Sequence, residues 1–172
     1  MSTVLTEPSS LPSGEGGCDQ LPGPALVDFE LVRQNLSRPE SIIDGLFESS
    51  RESWKLLQSE PRNRVLWRQE FPDRFRYSIA LARKGVTSAI DVRRQSHGIL
   101  ETHAHLIGPR RLDCAIHRYS VSSEAGAGRL AESVEIRSTS RVFRFYRRRM
   151  VRDAVRSASQ QLDELIASLQ TF

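Results

Sequence analysis

The order of predicted elements indicates an α+β fold, in which a seven-stranded antiparallel sheet is followed by one long C-terminal helix. Apolar and polar residues alternate with a period of two through most of residues 62–137, which is typical of strands. The closing residues instead repeat apolar side chains every three or four positions, which is typical of an amphipathic helix. Because the breaks between strands are short, neighbouring strands are expected to pair as antiparallel meanders.

The first strand is predicted near Val27, where Val27, Phe29 and Leu31 alternate with acidic neighbours. Six further strands follow, and turn signals such as Pro72-Asp73 and Gly108-Pro109 separate them. These strands are predicted at residues 64–71, 74–82, 86–94, 98–107, 112–122 and 129–137.

Two short helices are predicted between the first and second strands. Ser37 is a suitable N-cap and Pro39 suits a first helical turn. The apolar residues among 42–47 form one face, and a second short helix is predicted at about residues 50–58. The C-terminal helix is predicted at residues 141–170, which makes it roughly 45 Å long at 1.5 Å per residue.

Residues 1–24 are rich in proline, glycine and serine and have no periodicity, so we predict a disordered tail before a single domain at residues 25–172. No run approaches the ~20 apolar residues of a membrane span, and no signal peptide is recognised. Two cysteines, Cys18 and Cys114, do not constitute a disulfide framework. We therefore expect a reduced, cytoplasmic protein.

Two segments carry a family resemblance. In residues 36–46 a proline precedes an acidic residue and then an apolar pair, and residues 148–165 form the closing amphipathic stretch. Together with the element order, they resemble the START-like superfamily, which includes polyketide cyclases, lipid-transfer domains and plant-allergen-type proteins. The resemblance covers about residues 25–172 and concerns architecture, because the superfamily has no universal catalytic motif. One departure is that residues 56–65 lack the Trp-x-x-Trp-like stretch that the family often has after its second helix.

The resemblance implies a helix-grip fold, in which a curved antiparallel sheet wraps around the long C-terminal helix and leaves a cavity between them. A cavity of this kind implies a hydrophobic small-molecule ligand, such as a polyketide, a lipid or an isoprenoid. The resemblance leaves open whether such a ligand is only bound or is also converted by a cyclase or aromatase activity.

Alternation along the predicted strands nominates inward-facing residues. On the hairpin of residues 98–122 we predict that His117 and Tyr119 point inward together with Thr102, where the two rings could transfer protons or donate hydrogen bonds. The same pattern is also typical of an ordinary filled core. The complete predicted ligand-binding set is Phe75, Tyr77, Ile90, Thr102, His117 and Tyr119.

The opposite face of this hairpin is predicted to bring His103, His105 and Cys114 together. These residue types are zinc ligands, but the pattern places no fourth ligand, and Glu101 and Arg118 on the same face favour an ion-paired surface. We therefore predict no metal site. We also predict no cofactor, because the sequence has no glycine-rich phosphate loop followed by a helix.

Arginine is concentrated near the start of the last helix. Residues 141–156 contain seven arginines and one acid, Asp153. We predict an anion-binding site at Arg147, Arg148 and Arg149, for which the candidates are RNA or ribosome phosphates, an acidic membrane and an acidic protein. The alternative function is thus a non-enzymatic interaction protein of the same fold. The simpler interpretation of the same pattern is a solvated face paired with sheet carboxylates such as Glu132 and Glu135.

Overall fold

The computed structural model describes residues 18, 21, 24–82, 85–124 and 126–170. It confirms the predicted α+β helix-grip fold, with seven antiparallel strands and a long C-terminal helix. The strands are β1 Val27–Leu36, β2 Arg64–Phe71, β3 Arg74–Ala80, β4 Val86–Gln95, β5 Gly98–Ile107, β6 Arg111–Glu124 and β7 Ala127–Ser138. Among the described residues, no helix is long and apolar enough to cross a membrane.

The sheet is a meander that the first strand joins from the far side. Its order is β1-β7-β6-β5-β4-β3-β2, and every neighbouring pair is antiparallel. Successive strands from β2 to β7 are therefore hydrogen-bonded neighbours, as their short connections require. The inner face of this sheet carries the helices.

The two predicted short helices form one continuous helix, α1, at Pro39–Ser59. The prediction of two helices was wrong. Glu48, Ser49 and Ser50 interrupt the apolar face, which suggested a break, but none of them is a proline or glycine, so the helix continues through them. Pro39 occupies the first turn, as predicted, but no side chain caps the N-terminus.

The C-terminal helix, α2, begins at Arg147, later than the predicted start at residue 141, and ends at Gln170 as predicted. The residues before it, Val142–Tyr146, form a 3-10 helix. This tighter turn places the Phe143 ring 4.3 Å from the Arg111 guanidinium on β6, so a contact to the sheet holds the start of the helical segment.

Helix α2 lies beside α1 and against the first strand. A Cβ added to Gly45 in α1 would meet Leu169 Cδ1 of α2 at 2.9 Å, so a glycine permits the close approach of the two helices. On the other side, Arg33 of β1 donates hydrogen bonds to Asp163 and Ser159 of α2, each at 2.7 Å.

The hydrophobic core fills most of the space between helices and sheet. It combines residues of α1, including Phe47 and Trp54, with β3 and β4 residues and with Leu162 of α2. Phe47 and Phe75 meet edge to face with ring centroids 5.2 Å apart, a favourable aromatic arrangement.

The β5–β6 hairpin has a register that differs from the predicted one. Ile107 pairs with Arg111, so the loop contains three residues, and Gly108 in it has a φ of 62°. The prediction that Cys114 shares a face with His103 and His105 requires an even number of residues in the loop between β5 and β6. Because one residue changes which side chains share a face, Glu101 is opposite His117, while Thr102 is opposite Ile116.

Two sequence-based predictions therefore have to be corrected. Thr102 points to the outer face of the sheet, away from the helices, whereas His117 and Tyr119 do share the inner face. Cys114 is opposite Ala104 on the outer face, so it cannot join His103 and His105, which are on the inner one.

The outer face carries a small apolar cluster to which Cys18 and Leu21 contribute from the N-terminal side of the chain. Cys18 forms a disulfide with Cys114 across 96 positions of sequence. Both cysteines are buried with Ala104 and Ile116, and Leu21 packs beside them. The expectation of two unpaired, reduced cysteines was wrong. The predicted cytoplasmic setting rested on that expectation and therefore loses its basis. The remainder of the predicted disordered tail is largely outside the described residues.

Candidate functional site

A cavity of about 520 Å³ lies between the two helices and the inner face of the sheet. Helix α1 supplies Leu46, Ser49, Ser50, Ser53 and Trp54. Helix α2 supplies Ala158, Gln161, Leu162, Glu164, Leu165 and Ser168. The floor consists of sheet residues, namely Glu101, His103, Tyr119 and Glu132.

The polarity of the lining varies with depth. Ser49 and Ser53 of α1 and Glu164 of α2 are exposed at the rim, while Trp54 and Leu162 are buried walls. The floor is polar, although it faces a largely apolar core. Burial of a polar side chain costs free energy unless the side chain is hydrogen-bonded, so the hydrogen-bond partners of these floor residues have to be identified.

One half of the floor is a carboxylate–imidazole pair on β5. His103 Nε2 donates a hydrogen bond to Glu101 Oε1, and Ser50 of α1 donates another to the same oxygen at 3.1 Å. The two residues are two positions apart on one strand, so alternation places both on the inner face. The Trp54 side chain covers this pair from the helix side, and its ring centroid is 6.2 Å from that of His103.

The other half of the floor consists of Tyr119 and Glu132, and Glu132 forms a second pair with His117 between β6 and β7. His117 Nδ1 and Glu132 Oε1 are 3.0 Å apart, and Glu132 is 2 % exposed. Tyr119 stacks on His117 with ring centroids 6.2 Å apart. The two histidine rings meet edge to face at 5.7 Å, which joins both pairs into one polar group.

The electrostatics of the floor follow from burial and from these contacts. Burial, followed by the nearby charges of Glu132 and Glu101, raises the pKa of the Tyr119 phenol far above its usual value. Burial is the largest single influence on Glu101 and acts against its ionisation. The hydrogen bonds from His103 and Ser50 and the electrostatic influence of His103 and His117 together outweigh burial and hold the pKa of Glu101 below its usual value. The floor therefore combines a charged carboxylate with a protonated phenol at neutral pH.

This geometry is suited to proton transfer and to hydrogen bonding of an oxygenated ligand. A carboxylate that accepts from one imidazole nitrogen fixes the tautomer and leaves the other nitrogen to act. Among the residues that the structure describes, no group of three or more His, Cys, Asp or Glu side chains is arranged to hold a metal.

The predicted ligand-binding residues are distributed over three environments. Tyr119 lines the cavity, and His117 contacts Tyr119 and Glu132 from the same face. Phe75, Tyr77 and Ile90 are on the inner face but are buried in the core, and Thr102 is on the outer face.

Sequence reasoning missed Glu101, His103 and Glu132 as parts of this site. The alternation of Glu101 with His103 was visible, but an uncertain loop length assigned both to the outer face. Glu132 lies between the buried residues Leu130 and Val134 on β7, so strict alternation along that strand would have found it.

The predicted anion-binding arginines lie far along α2 from the sheet floor and differ from one another. Arg147 Nε donates a hydrogen bond to the Leu26 carbonyl at 3.0 Å. Arg149 Nε is 3.7 Å from an Asp153 oxygen, and all three side chains are exposed. Arg147 therefore has a structural role besides its charge.

No family model matches this chain, and no curated protein shows significant sequence similarity to it. Among solved structures, the Mll3558 protein from Rhizobium loti is similar over 82% of this chain and 94% of its own, with 11% identity and a TM-score of 0.45. A putative uncharacterized protein from Rhizobium leguminosarum is similar over 82% of this chain and 90% of its own, with 14% identity and a TM-score of 0.35. Neither likeness is close enough to support a functional argument.

Proposed function

We propose that the cavity binds a small organic molecule with an apolar skeleton and several oxygen substituents, in the manner of the START-like proteins that the sequence resembles. The observation that carries this proposal is the joined pair of His–carboxylate contacts at the floor of a cavity of about 520 Å³. Ligand sites typically measure about 300–1,000 Å³ and combine apolar walls with a few polar groups.

The lining distinguishes among the three expected ligand classes. Trp54, Leu162 and Leu165 offer apolar contact, but the floor offers two carboxylates, an imidazole and a phenol. A hydrocarbon lipid tail or an isoprenoid would exclude water from the donors and acceptors that these groups do not use among themselves, which costs free energy. An oxygenated polyketide can satisfy them, so we favour that class.

The enzymatic form of the proposal is a cyclisation by proton transfer. A base, for which we nominate His103, removes a proton from carbon beside a carbonyl, and the resulting carbanion attacks a second carbonyl of the same chain. The Tyr119 phenol, kept protonated by its raised pKa, hydrogen-bonds the developing alkoxide, which takes up the proton that His103 removed and so returns the base to its neutral form. The step involves no net oxidation, and it needs the cavity chiefly to fold the substrate.

Tryptophan fluorescence tests the binding proposal. The chain has two tryptophans, so Trp67→Phe leaves Trp54 in the cavity wall as the only reporter. We expect saturable quenching by emodin, a fused-ring polyketide, and little response to palmitic acid or farnesol. A native mass spectrum of the purified protein should, in addition, show a co-purified small molecule if the expression host makes one.

A matched pair of substitutions on α1 locates the binding. Ser53→Tyr should fill the cavity rim and weaken emodin binding at least about tenfold, since the new ring occupies the space of the ligand. Glu52→Tyr introduces the same side chain at the neighbouring exposed position and should leave binding unchanged. Equal effects of the two substitutions, or no quenching by any of the three probes, would refute the proposal.

A further inference from the structure

An exposed surface at the start of the C-terminal helical segment combines apolar and basic side chains. Phe145 is 87 % exposed, Val142 59 % and Tyr146 56 %. All three belong to the 3-10 helix Val142–Tyr146, where residues three apart lie on the same side. Val142 and Phe145 therefore present one apolar side to solvent, and a contiguous exposed apolar patch rimmed by polar residues is typical of an interaction surface.

Contacts to the sheet hold this segment in place. The Phe143 ring lies under the Arg111 guanidinium at 4.3 Å, and Arg147 donates to the Leu26 carbonyl at 3.0 Å. Phe143 and Arg147 thus anchor the segment from both sides. The outward orientation of Val142 and Phe145 is then a consequence of the fold.

The surrounding charge is basic and poorly compensated. Arg141, Arg144 and Arg148 form no ion pair with any carboxylate that the structure describes. Asp153 is the one acid in this stretch, and Arg149 and Arg152 share it at 3.7 Å and 3.6 Å. Positive charge is also unfavourable at a helix N-terminus, so an external anion would relieve two costs together.

We propose that residues 141–149 form a docking surface for an acidic lipid bilayer. Val142 and Phe145 enter the boundary between headgroups and acyl chains, Tyr146 lies at the headgroup level, and Arg141, Arg144 and Arg148 pair with lipid phosphates. Aromatic and aliphatic residues beside arginines are the composition of interfacial segments. This proposal concerns a different part of the molecule from the cavity and does not depend on it.

A bilayer explains the surface better than RNA does. RNA-binding surfaces use aromatic rings as stacking platforms for bases, and the aliphatic Val142, on the same side as Phe145, provides none. A bilayer supplies an apolar phase for Val142 and Phe145 and phosphate for the arginines within one partner.

Flotation with extruded vesicles tests the proposal on the full chain. We expect binding to phosphatidylcholine vesicles that contain phosphatidylserine, much weaker binding to pure phosphatidylcholine, and weakening by added salt because the exposed charges are screened. Phe145→Ala should reduce binding at least about tenfold, since burial of a phenyl ring in an apolar phase is lost. Each substitution of Arg144→Gln or Arg148→Gln should reduce it roughly fivefold.

Matched controls separate this surface from general exposure and charge. Phe71→Ala removes a phenylalanine that is 53 % exposed at the β2–β3 hairpin, and Arg64→Gln with Arg68→Gln removes two exposed charges on β2. Both controls should bind as the wild type does. Absence of wild-type binding to acidic vesicles, or loss of binding on Arg144→Gln without any on Phe145→Ala, would overturn the proposal. Tighter binding of poly(U) RNA than of acidic vesicles would overturn it in favour of RNA.

Discussion

Two tyrosines on the inner face of the sheet are held in their neutral form by their surroundings. Burial and a hydrogen bond to Glu70 raise the pKa of Tyr77 to about 12, and burial with Glu132 and Glu101 raises the pKa of Tyr119 further. The usual value in an unfolded chain is about 10. Both raised pKa values therefore contribute to the free energy of unfolding. This contribution is fully present below about pH 10 and is lost as the pH rises through the folded-state pKa values.

Absorbance at 295 nm, which follows phenolate formation, should reveal this difference. The chain has three tyrosines. We expect Tyr119→Phe to remove no ionisation near pH 10 from the native protein, but to remove about one third of the signal near pH 10 in guanidinium chloride. The stability of the wild type should also fall more steeply than that of Tyr119→Phe above about pH 10. A native Tyr119 that ionises near pH 10 would contradict the assigned environment.

Single-residue placement was predictable from sequence where the strand pattern was long and unbroken. Phe75, Tyr77 and Ile90 were correctly assigned to the inner face, because β3 and β4 alternate throughout. Thr102 was misplaced because its face depends on the length of the loop at Gly108, and sequence patterns do not specify whether that loop has an even or an odd number of residues. The same ambiguity concealed Glu101 and His103.

At the scale of elements, the N-terminal segment matters to the sheet despite its composition. Cys18 and Leu21 pack on Ala104, Cys114 and Ile116 of the outer face, and Arg137 donates a hydrogen bond to the Leu21 carbonyl at 3.1 Å. Composition alone could not predict this contact, since it depends on one cysteine in a proline-rich stretch meeting another 96 positions away.

Two truncations should separate the disulfide from the rest of the segment. Removal of residues 1–17 keeps Cys18 and should leave the melting temperature unchanged, as predicted from the composition of that stretch. Removal of residues 1–24, or Cys18→Ser, opens the disulfide and should cost ~2–4 kcal/mol. Thermal denaturation measures both, and Cys114→Ser should cost about as much as Cys18→Ser, with no further loss in the double variant. Equal melting temperatures for the wild type and Cys18→Ser would contradict the pairing.

At the scale of the whole molecule, the two faces of the sheet carry different features. The inner face holds the core and the cavity, and Cys18 and Leu21 pack on part of the outer face. The basic segment at residues 141–149 lies beyond the end of β7. The meander and the long amphipathic helix were predictable because periodicity reports burial directly. A cavity was expected from the family resemblance, but its lining was not predictable, since the lining depends on how closely α1 and α2 approach each other.

Docking of α2 onto the sheet can be tested through Leu162, which is 2 % exposed and belongs both to the core and to the cavity wall. Leu162→Ala should lower the free energy of unfolding by ~2–5 kcal/mol, because it removes buried methyl groups and enlarges an existing void. Leu165, half-buried at the cavity, should lose less on substitution by alanine, about 1–2 kcal/mol. Leu56→Ala, at a position of α1 that is 71 % exposed, is the matched control and should change stability by no more than about 0.5 kcal/mol. Urea denaturation measures all three, and a loss below about 1 kcal/mol at Leu162 would mean that α2 does not close the inner face of the sheet.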